Sequence, residues 1–333
     1  MFPNALRRLS SRLATASVND RTFKTRFLMA GHAKLVPKES KALPKSHELK
    51  KENIAAKKKN SEPSLKDQQD KKVWSKKKRE TLFGIHPVEI CLSERKRTIY
   101  KVFCSKIRED TVSNESLQRI LNIASARKIP IKSVETRQLN LMTNKATHQG
   151  IGMQVSPLIL RPWNDAMECF GQSDDNGQLC IYVDRVQDPM NMGAILRTAV
   201  FLGIDGIFVP TENSCRLSPV VAKASAGALE CAPLYSVENP ASLFTFLQRL
   251  GWDIVGSDQD CEPYTAHKVT QRNRLLVLGN ESHGVHEDLV SFFTTTVSIP
   301  SINKRISSLN VSVTSGVLLT HFAKSKLFAQ EDK

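Results

Sequence analysis

Between residues 178 and 328 short apolar runs alternate with helix-starting prolines, and this alternation restricts the fold more than any other feature of the chain. The runs are LCIYVDRV, DGIFVP, RLLVLGN and TTTVSIP; helices are predicted from Pro189, Pro219 and Pro240, and a last long one from about Leu309. Strand followed by helix at this pitch predicts an α/β unit, a mostly parallel sheet covered on both faces. Ligands of such sheets sit beyond the carboxyl ends of the strands, so chemistry is expected in the loops that follow them.

Common nucleotide motifs are missing from those loops. No G-x-G-x-x-G follows a strand, and Gly279 to Gly284 has the spacing of a phosphate loop but continues Val285-His286 where Lys and then Ser or Thr are needed. That argues against hydride transfer and nucleoside triphosphate hydrolysis. His283 and His286 are three apart with no third ligand near them, so no metal is expected. The seven cysteines never come closer than eleven positions, and they read as small core residues in a reducing compartment. No run approaches the ~18 apolar residues of a membrane-spanning helix.

Three loops carry the candidates. The first runs from Asp184 to Arg197; Asp188 and Pro189 read as N-cap and first helical residue, and Met192, Ile195, Ala199 and Leu202 as the buried stripe. Arg197 then lies about 9 Å along the axis from Asn191 and is turned roughly 240° from it, so the two meet one substrate only if Asn191 sits in the helix entry. The second follows LLVLG, where Gly279 would let a ligand approach the backbone and Glu281 would project into the same crevice. The third runs from Ile299-Pro300 to Ser308-Leu309-Asn310, after which Val313, Gly316 and Thr320 share a stripe and Ser312, Ser315 and Gly316 are small enough for close helix packing. Taken singly, each loop also reads as ordinary structure: a surface arginine, a strand-to-helix turn, a tightly packed helix.

Ahead of this region, residues 81–157 form a small α/β unit. LFGIHPV and TIYKVFCS precede a helix carrying Leu117, Ile120, Leu121 and Ala124, with Asn114 as its N-cap and Pro130 ending it; IPIKSV and the alternating GIGMQVS follow as strands. His148, in HQG, reads as a structural or hydrogen-bonding residue. Residues 158–177 are expected as a linker, longer and more acidic than such a connection requires.

Charge divides the chain again. Residues 1–80 hold 22 Lys and Arg against 8 Asp and Glu, which accounts for +14 of the formal +15. The first thirty residues, with six basic groups and one acid, Asp20, suit a mitochondrial transit peptide. The Lys-rich stretch that follows has KKK at 57–59 and 76–78 and only Trp74 as an aromatic, too little apolar surface to offset ordering. It reads as a linker or extended presequence, as an electrostatic arm for RNA, or as a nuclear signal.

Taken together, D-x3-D-P-x-N-x-G-x3-R, V-L-G-N-E-x2-G and I-P…S-L-N-V-S resemble the three motifs of the SpoU/TrmH branch of the SPOUT RNA methyltransferases, and LFGIHPV with HQG resembles the L30e-like substrate-binding domain that precedes the catalytic domain there. The resemblance covers about three quarters of the chain. It implies an L30e-like domain (81–157) followed, after the linker (158–177), by a trefoil-knotted SPOUT domain (178–333). It also implies a homodimer with active sites at the subunit interface, and S-adenosylmethionine held by the backbone around Gly279, Ile299 and Leu309. With the leader, it implies 2′-O-methylation of a guanosine ribose in mitochondrial large-subunit rRNA, in the matrix. A tRNA ribose methylase of the same branch and a non-catalytic RNA-binding assembly factor remain the alternatives. In the family the motif arginine, here Arg197, is regarded as catalytic; a guanidinium pKa above ~12 makes it a poor base, and gripping a phosphate and the developing oxyanion suits it better, with Glu281 as proton acceptor and Asn191 and Asn310 orienting the ribose.

Overall fold

The computed structural model describes residues 79–105, 115–171, 177–258, 261–267, 272–280, 283–303, 305–306 and 308–324. Two sheets organise them. The first has four strands, β1 (Glu80–Phe83), β2 (Ile99–Ser105), β3 (Ile131–Val134) and β4 (Ile151–Val155), in the order β1-β4-β2-β3; β4 is antiparallel to both its neighbours and β2–β3 is parallel. Helices α1 (Ile85–Glu94), α2 (Glu115–Ala126) and α3 (Thr136–Met142) join these strands. The expected apolar face of α2 is realised by Leu117, Ile120 and Ala124, all buried. Its expected N-cap, Asn114, lies outside the described residues.

The second sheet has seven strands, all parallel, in the order β11-β9-β10-β6-β7-β8-β5. They are β5 (Arg161–Pro162), β6 (Leu179–Val183), β7 (Gly206–Pro210), β8 (Leu234–Val237), β9 (Asp253–Ser257), β10 (Arg274–Leu278) and β11 (Thr295–Val297). The helices between them are α4 (Met167–Gly171), α5 (Pro189–Phe201), α6 (Pro219–Ala224), α7 (Ala228–Cys231), α8 (Pro240–Arg249) and α9 (Glu287–Val290), and α10 (Val311–Phe322) ends the described chain. Burial on both faces explains why β6 and, after Arg274, β10 are apolar without alternation: every residue of each is buried. The chain leaves β6 toward β7 and β8 on one side and returns through β9 and β10 on the other, so the reversal falls between β6 and β10. The loops opened by Asp184 and Gly279 face each other there.

The segment expected as a linker is part of this sheet. Arg161–Pro162 pair with Tyr235–Ser236 of β8, and Phe170 of α4 is buried against Phe208, Tyr235 and Trp252, with ring centroids 5.2, 5.3 and 6.2 Å away. The Trp252 indole N–H donates to the Phe170 carbonyl at 3.2 Å. Burial of aromatic surface, not connection, is what residues 158–171 supply.

The two sheets are joined by a buried ionic clasp. Arg97 is 4% exposed and Glu230 1%; the Arg97 fork donates to both Glu230 oxygens at 2.8 Å and to Glu80 and the Ser156 carbonyl at 2.9 and 3.1 Å. Arg216 donates to the other Glu80 oxygen at 2.6 Å. Burial would lower the Arg97 pKa, but the hydrogen bonds and charges of Glu230 and Glu80 turn the shift upward. The HQG turn adds a second tie: Gln149, in the left-handed region at φ 55°, accepts from Lys223 of α6 at 2.6 Å and from the Ile85 N–H at 3.2 Å. His148 serves it as a hydrogen-bonding residue, accepting from Gly150 N at 3.0 Å and pairing with Asn140 at 3.1 Å; burial and the Lys223 charge lower its pKa.

None of the seven cysteines forms a disulfide. No helix among the described residues is long and apolar enough to cross a membrane.

Candidate active site

Asp184 closes β6. Its carboxylate, 2% exposed, accepts from the His286 backbone N–H at 2.9 Å and from Arg185 Nε at 3.2 Å. Arg185 holds φ 51°, a region that costs a non-glycine residue about 1 kcal/mol or more, and its carbonyl accepts from Asn280 Nδ2 at 2.8 Å. The first and second loops are thus sewn together by Asp184 and Asn280. Neither side chain was assigned a role from sequence, although a carboxylate directly after five buried apolar residues is a signal in itself, because burying it requires partners.

The first loop then enters α5 as expected. Asp188 is the N-cap, accepting from Met190 N at 3.0 Å, and Pro189 is the first helical residue. Met192, Gly193, Ile195, Leu196 and Ala199 are buried. Gly193 is required by packing: a Cβ there would stand 2.4 Å from the Ala224 Cβ and 2.9 Å from the Ser225 nitrogen, so α6 lies directly on α5. Asn191 falls in the first turn and pairs with the third loop, Asn310 Nδ2 donating to Asn191 Oδ1 at 3.0 Å. Asn310 also caps α10, its Oδ1 accepting from Ser312 N at 2.8 Å. One amide therefore fixes the helix entry and the contact between motifs.

This divides two functions that substitution can separate. Asn310→Asp keeps the capping oxygen and loses the donor to Asn191; Asn310→Ala loses both. The alanine variant should lose about 1 kcal/mol in chemical denaturation and the aspartate variant a small fraction of that, while both lose the bond to Asn191. Equal stability losses would show that the cap is not the structural part of the role.

The structure brings Asn191 and Asn310 together and puts Gly279 and Ile299 just after the carboxyl ends of β10 and β11. Gly279 follows β10, Ile299 follows β11 with β9 between, and Leu309 precedes α10. The space at Gly279, expected to admit a ligand, is filled by the loop itself: a Cβ would stand 2.4 Å from the Gly284 carbonyl carbon, because Asn280 and Gly284 exchange backbone hydrogen bonds at 2.9 and 3.0 Å. The glycine is there for the return of its own chain. Glu281 lies outside the described residues. Arg197 is exposed on α5 and has no hydrogen-bond or ion-pair partner among the described residues, the Asn191–Asn310 pair included.

The face that α10 buries is not the one that carries Val313, Gly316 and Thr320. Val311, Ser315, Leu318, Leu319 and Phe322 pack inward, whereas Val313 is 50% exposed, Thr320 is exposed, and a Cβ at Gly316 would meet nothing within 4 Å. The Val313, Gly316, Thr320 stripe faces outward. Among the described residues no cluster of three or more His, Cys, Asp or Glu side chains is placed to hold a metal; His286 is used as the N-cap of α9, accepting from Asp288 N at 3.3 Å.

The SpoU rRNA Methylase family profile matches residues 178–320, and the RNA 2′-O ribose methyltransferase substrate binding profile matches residues 81–160. The human protein named rRNA methyltransferase 1, mitochondrial, is 33% identical over 254 residues, 72% of this chain and 71% of that one. The chain belongs to the SpoU rRNA methylase family. The 23S rRNA (guanosine-2′-O-)-methyltransferase RlmB of Shewanella oneidensis is 34% identical, covering 73% of this SpoU-family chain and 96% of its own. In fold the chain resembles the AdoMet-bound rRNA methyltransferase from Sinorhizobium meliloti, with a TM-score of 0.61 at 20% identity, covering 79% of this chain and 91% of that one.

Proposed function

We propose that this chain is an S-adenosylmethionine-dependent methyltransferase that modifies the 2′-hydroxyl of a guanosine in mitochondrial large-subunit rRNA. The observation that carries the reading is the joining of the three strand-end loops at one sheet edge through Asn280 to Arg185 and Asn310 to Asn191. The relatives' names, mitochondrial rRNA methyltransferase 1 and 23S rRNA (guanosine-2′-O-)-methyltransferase, support the substrate and the compartment, and the transit-type leader supports the matrix.

The residues at the edge suit the donor. Ile299 is half-buried and Leu309 47% exposed, aliphatic surface against which an adenine can lie while backbone groups at Gly279 and Ile299 take its polar edge. When bound, S-adenosylmethionine supplies a methyl group on a sulfonium. Asn191 and Asn310 orient the ribose, Arg197 grips the adjacent phosphate and the developing oxyanion, and Glu281 takes the hydroxyl proton. Because Arg197 stands about two turns beyond Asn191 and round the helix from it, a homodimer with its active sites between subunits is the arrangement in which the Arg197 of one protomer serves the Asn191 of its partner. The outward Val313 stripe, together with Met190, 60% exposed, offers the apolar surface for that dimer; the trefoil knot belongs to the same reading.

Purified protein incubated with labelled S-adenosylmethionine and mitochondrial rRNA should transfer label to one ribose, read as a single alkali-resistant guanosine site. Label on tRNA alone would assign the chain to the tRNA branch, and no transfer to any RNA would refute the enzyme. Deleting residues 1–78, which stops short of Glu80 and β1, should weaken RNA binding and flatten its dependence on salt, since each phosphate neutralised contributes a slope of about −0.7 to −0.9, with donor binding unchanged. An unaltered slope would leave the tail with targeting alone.

A further inference from the structure

One cavity is walled on one side by the Asp184–His286 contact that joins the first two loops. It encloses about 330 Å3 beyond the carboxyl ends of β6, β7 and β8, with Tyr182 and Asp184 from β6 and its end, Pro210 and Val237 from the ends of β7 and β8, and Glu212 and Glu238 in the loops that follow them. Among its charged side chains the carboxylates of Asp184, Glu212, Glu238 and Asp288 outnumber the one guanidinium, Arg185. Asp184 is committed to His286 and Arg185, but Glu212 and Glu238 are exposed at the rim.

Tyr182 is the second observation. The residue has no solvent exposure, its ring stands edge-on to Phe244 with centroids 5.2 Å apart, and its hydroxyl is buried without a hydrogen-bond partner among the described residues. Burial, and then the neighbouring Asp184 charge, raise its pKa, so the hydroxyl stays protonated and able to donate. An unpaired buried hydroxyl costs about 1 to 3 kcal/mol, which a ligand entering this cavity can recover.

The lining chooses among ligands. Carboxylates at the rim repel phosphate and accept from N–H groups. A guanine presents two such donors side by side, N1–H and the 2-amino group, with the acceptor O6 beside them for a hydroxyl or guanidinium donor; adenine and uracil each offer fewer donors on that edge. Asn191 lies six residues after Arg185, which lines the cavity, on the helix that leaves this same loop, so both belong to the carboxyl-end side of the sheet. We propose that this cavity receives the unstacked target guanine, with Glu212 and Glu238 reading N1–H and the 2-amino group and Tyr182 completing the set. The proposal rests on the reading of the chain as a guanosine ribose methyltransferase.

The test uses the full-length protein and a transcript of the mapped site carrying guanosine or inosine, which lacks the 2-amino group, at the target position. The wild type should favour guanosine about tenfold or more, a factor equivalent to one such hydrogen bond. Glu212→Gln/Glu238→Gln should lower kcat/KM for guanosine at least about tenfold and bring the guanosine-to-inosine ratio near one, and Tyr182→Phe should lower it about fivefold, with S-adenosylhomocysteine binding unchanged in both. A guanosine preference untouched by either variant overturns the proposal, as does a loss that appears in S-adenosylhomocysteine binding instead, which would make the cavity part of the donor site. The double variant alters only exposed residues, so its result stands even where Tyr182→Phe fails to fold. A wild type that methylates no guanosine refutes the underlying reading and this proposal with it, whereas an active wild type with unaffected variants sinks the base pocket alone.

Discussion

Arg197→Ala should lower single-turnover methylation by about 10²- to 10³-fold, the loss typical of one donor aimed at developing negative charge, and Arg197→Lys should fall nearly as far. The argument is one of geometry and of cost. A guanidinium presents a planar fork that can span a phosphate oxygen and a neighbouring alkoxide, whereas an ammonium is a point charge on a flexible stem. In this chain Arg197 is held by no ion pair among the described residues and stands exposed on a helix whose other face is buried. Its removal should therefore leave stability within about 0.5 kcal/mol, and donor binding unchanged. Near wild-type turnover by Arg197→Lys would contradict the role.

The second large effect is on folding. Arg97→Ala should destabilise the protein by about 3 to 5 kcal/mol, because it leaves the Glu230 carboxylate, 1% exposed, charged without its bidentate partner. Glu230→Ala should cost less, since Arg97 keeps Glu80 at 2.9 Å. Replacing both with apolar residues of similar volume, Arg97→Met with Glu230→Leu, should recover most of the loss, as buried pairs are often matched by good apolar packing. Denaturant midpoints of the three variants check this. A double variant as unstable as Arg97→Ala would mean that the clasp positions the small sheet through its hydrogen bonds, not merely through charge balance.

Why some of this was legible and some not follows from period and length. Apolar runs such as LCIYV and the LLVL of β10 announce themselves, and Asp188-Pro189 marks the start of α5 by capping chemistry alone. The strands LYSV and DIVGS were not anticipated: four or five residues with polar interruptions give too short a pattern, and the Gly256 that weakens the second is explained only by the Phe293 ring, 2.2 Å from where its Cβ would stand. Arg161–Pro162 looked like a linker because two residues carry no period, and their strand exists only through β8. In the site, Asn191 and Asn310 were foreseen and do meet. Asp184 and Asn280 were passed over because their work is to hold loops 102 and 95 residues away in sequence, a relation no local spacing expresses. At Gly279 the side on which a Cβ would stand is taken by the chain's own return limb, a relation between Gly279 and Gly284 that the glycine spacing does not express.

The most direct measurement is an experimental structure of the protein with S-adenosylhomocysteine. The account requires the ligand's adenine along the edge formed by Gly279, Ile299 and Leu309, with the sulfur directed at the Asn191–Asn310 pair and an Arg197 within reach of the same point. A ligand seated away from that edge, or a sulfur facing neither asparagine, would contradict it.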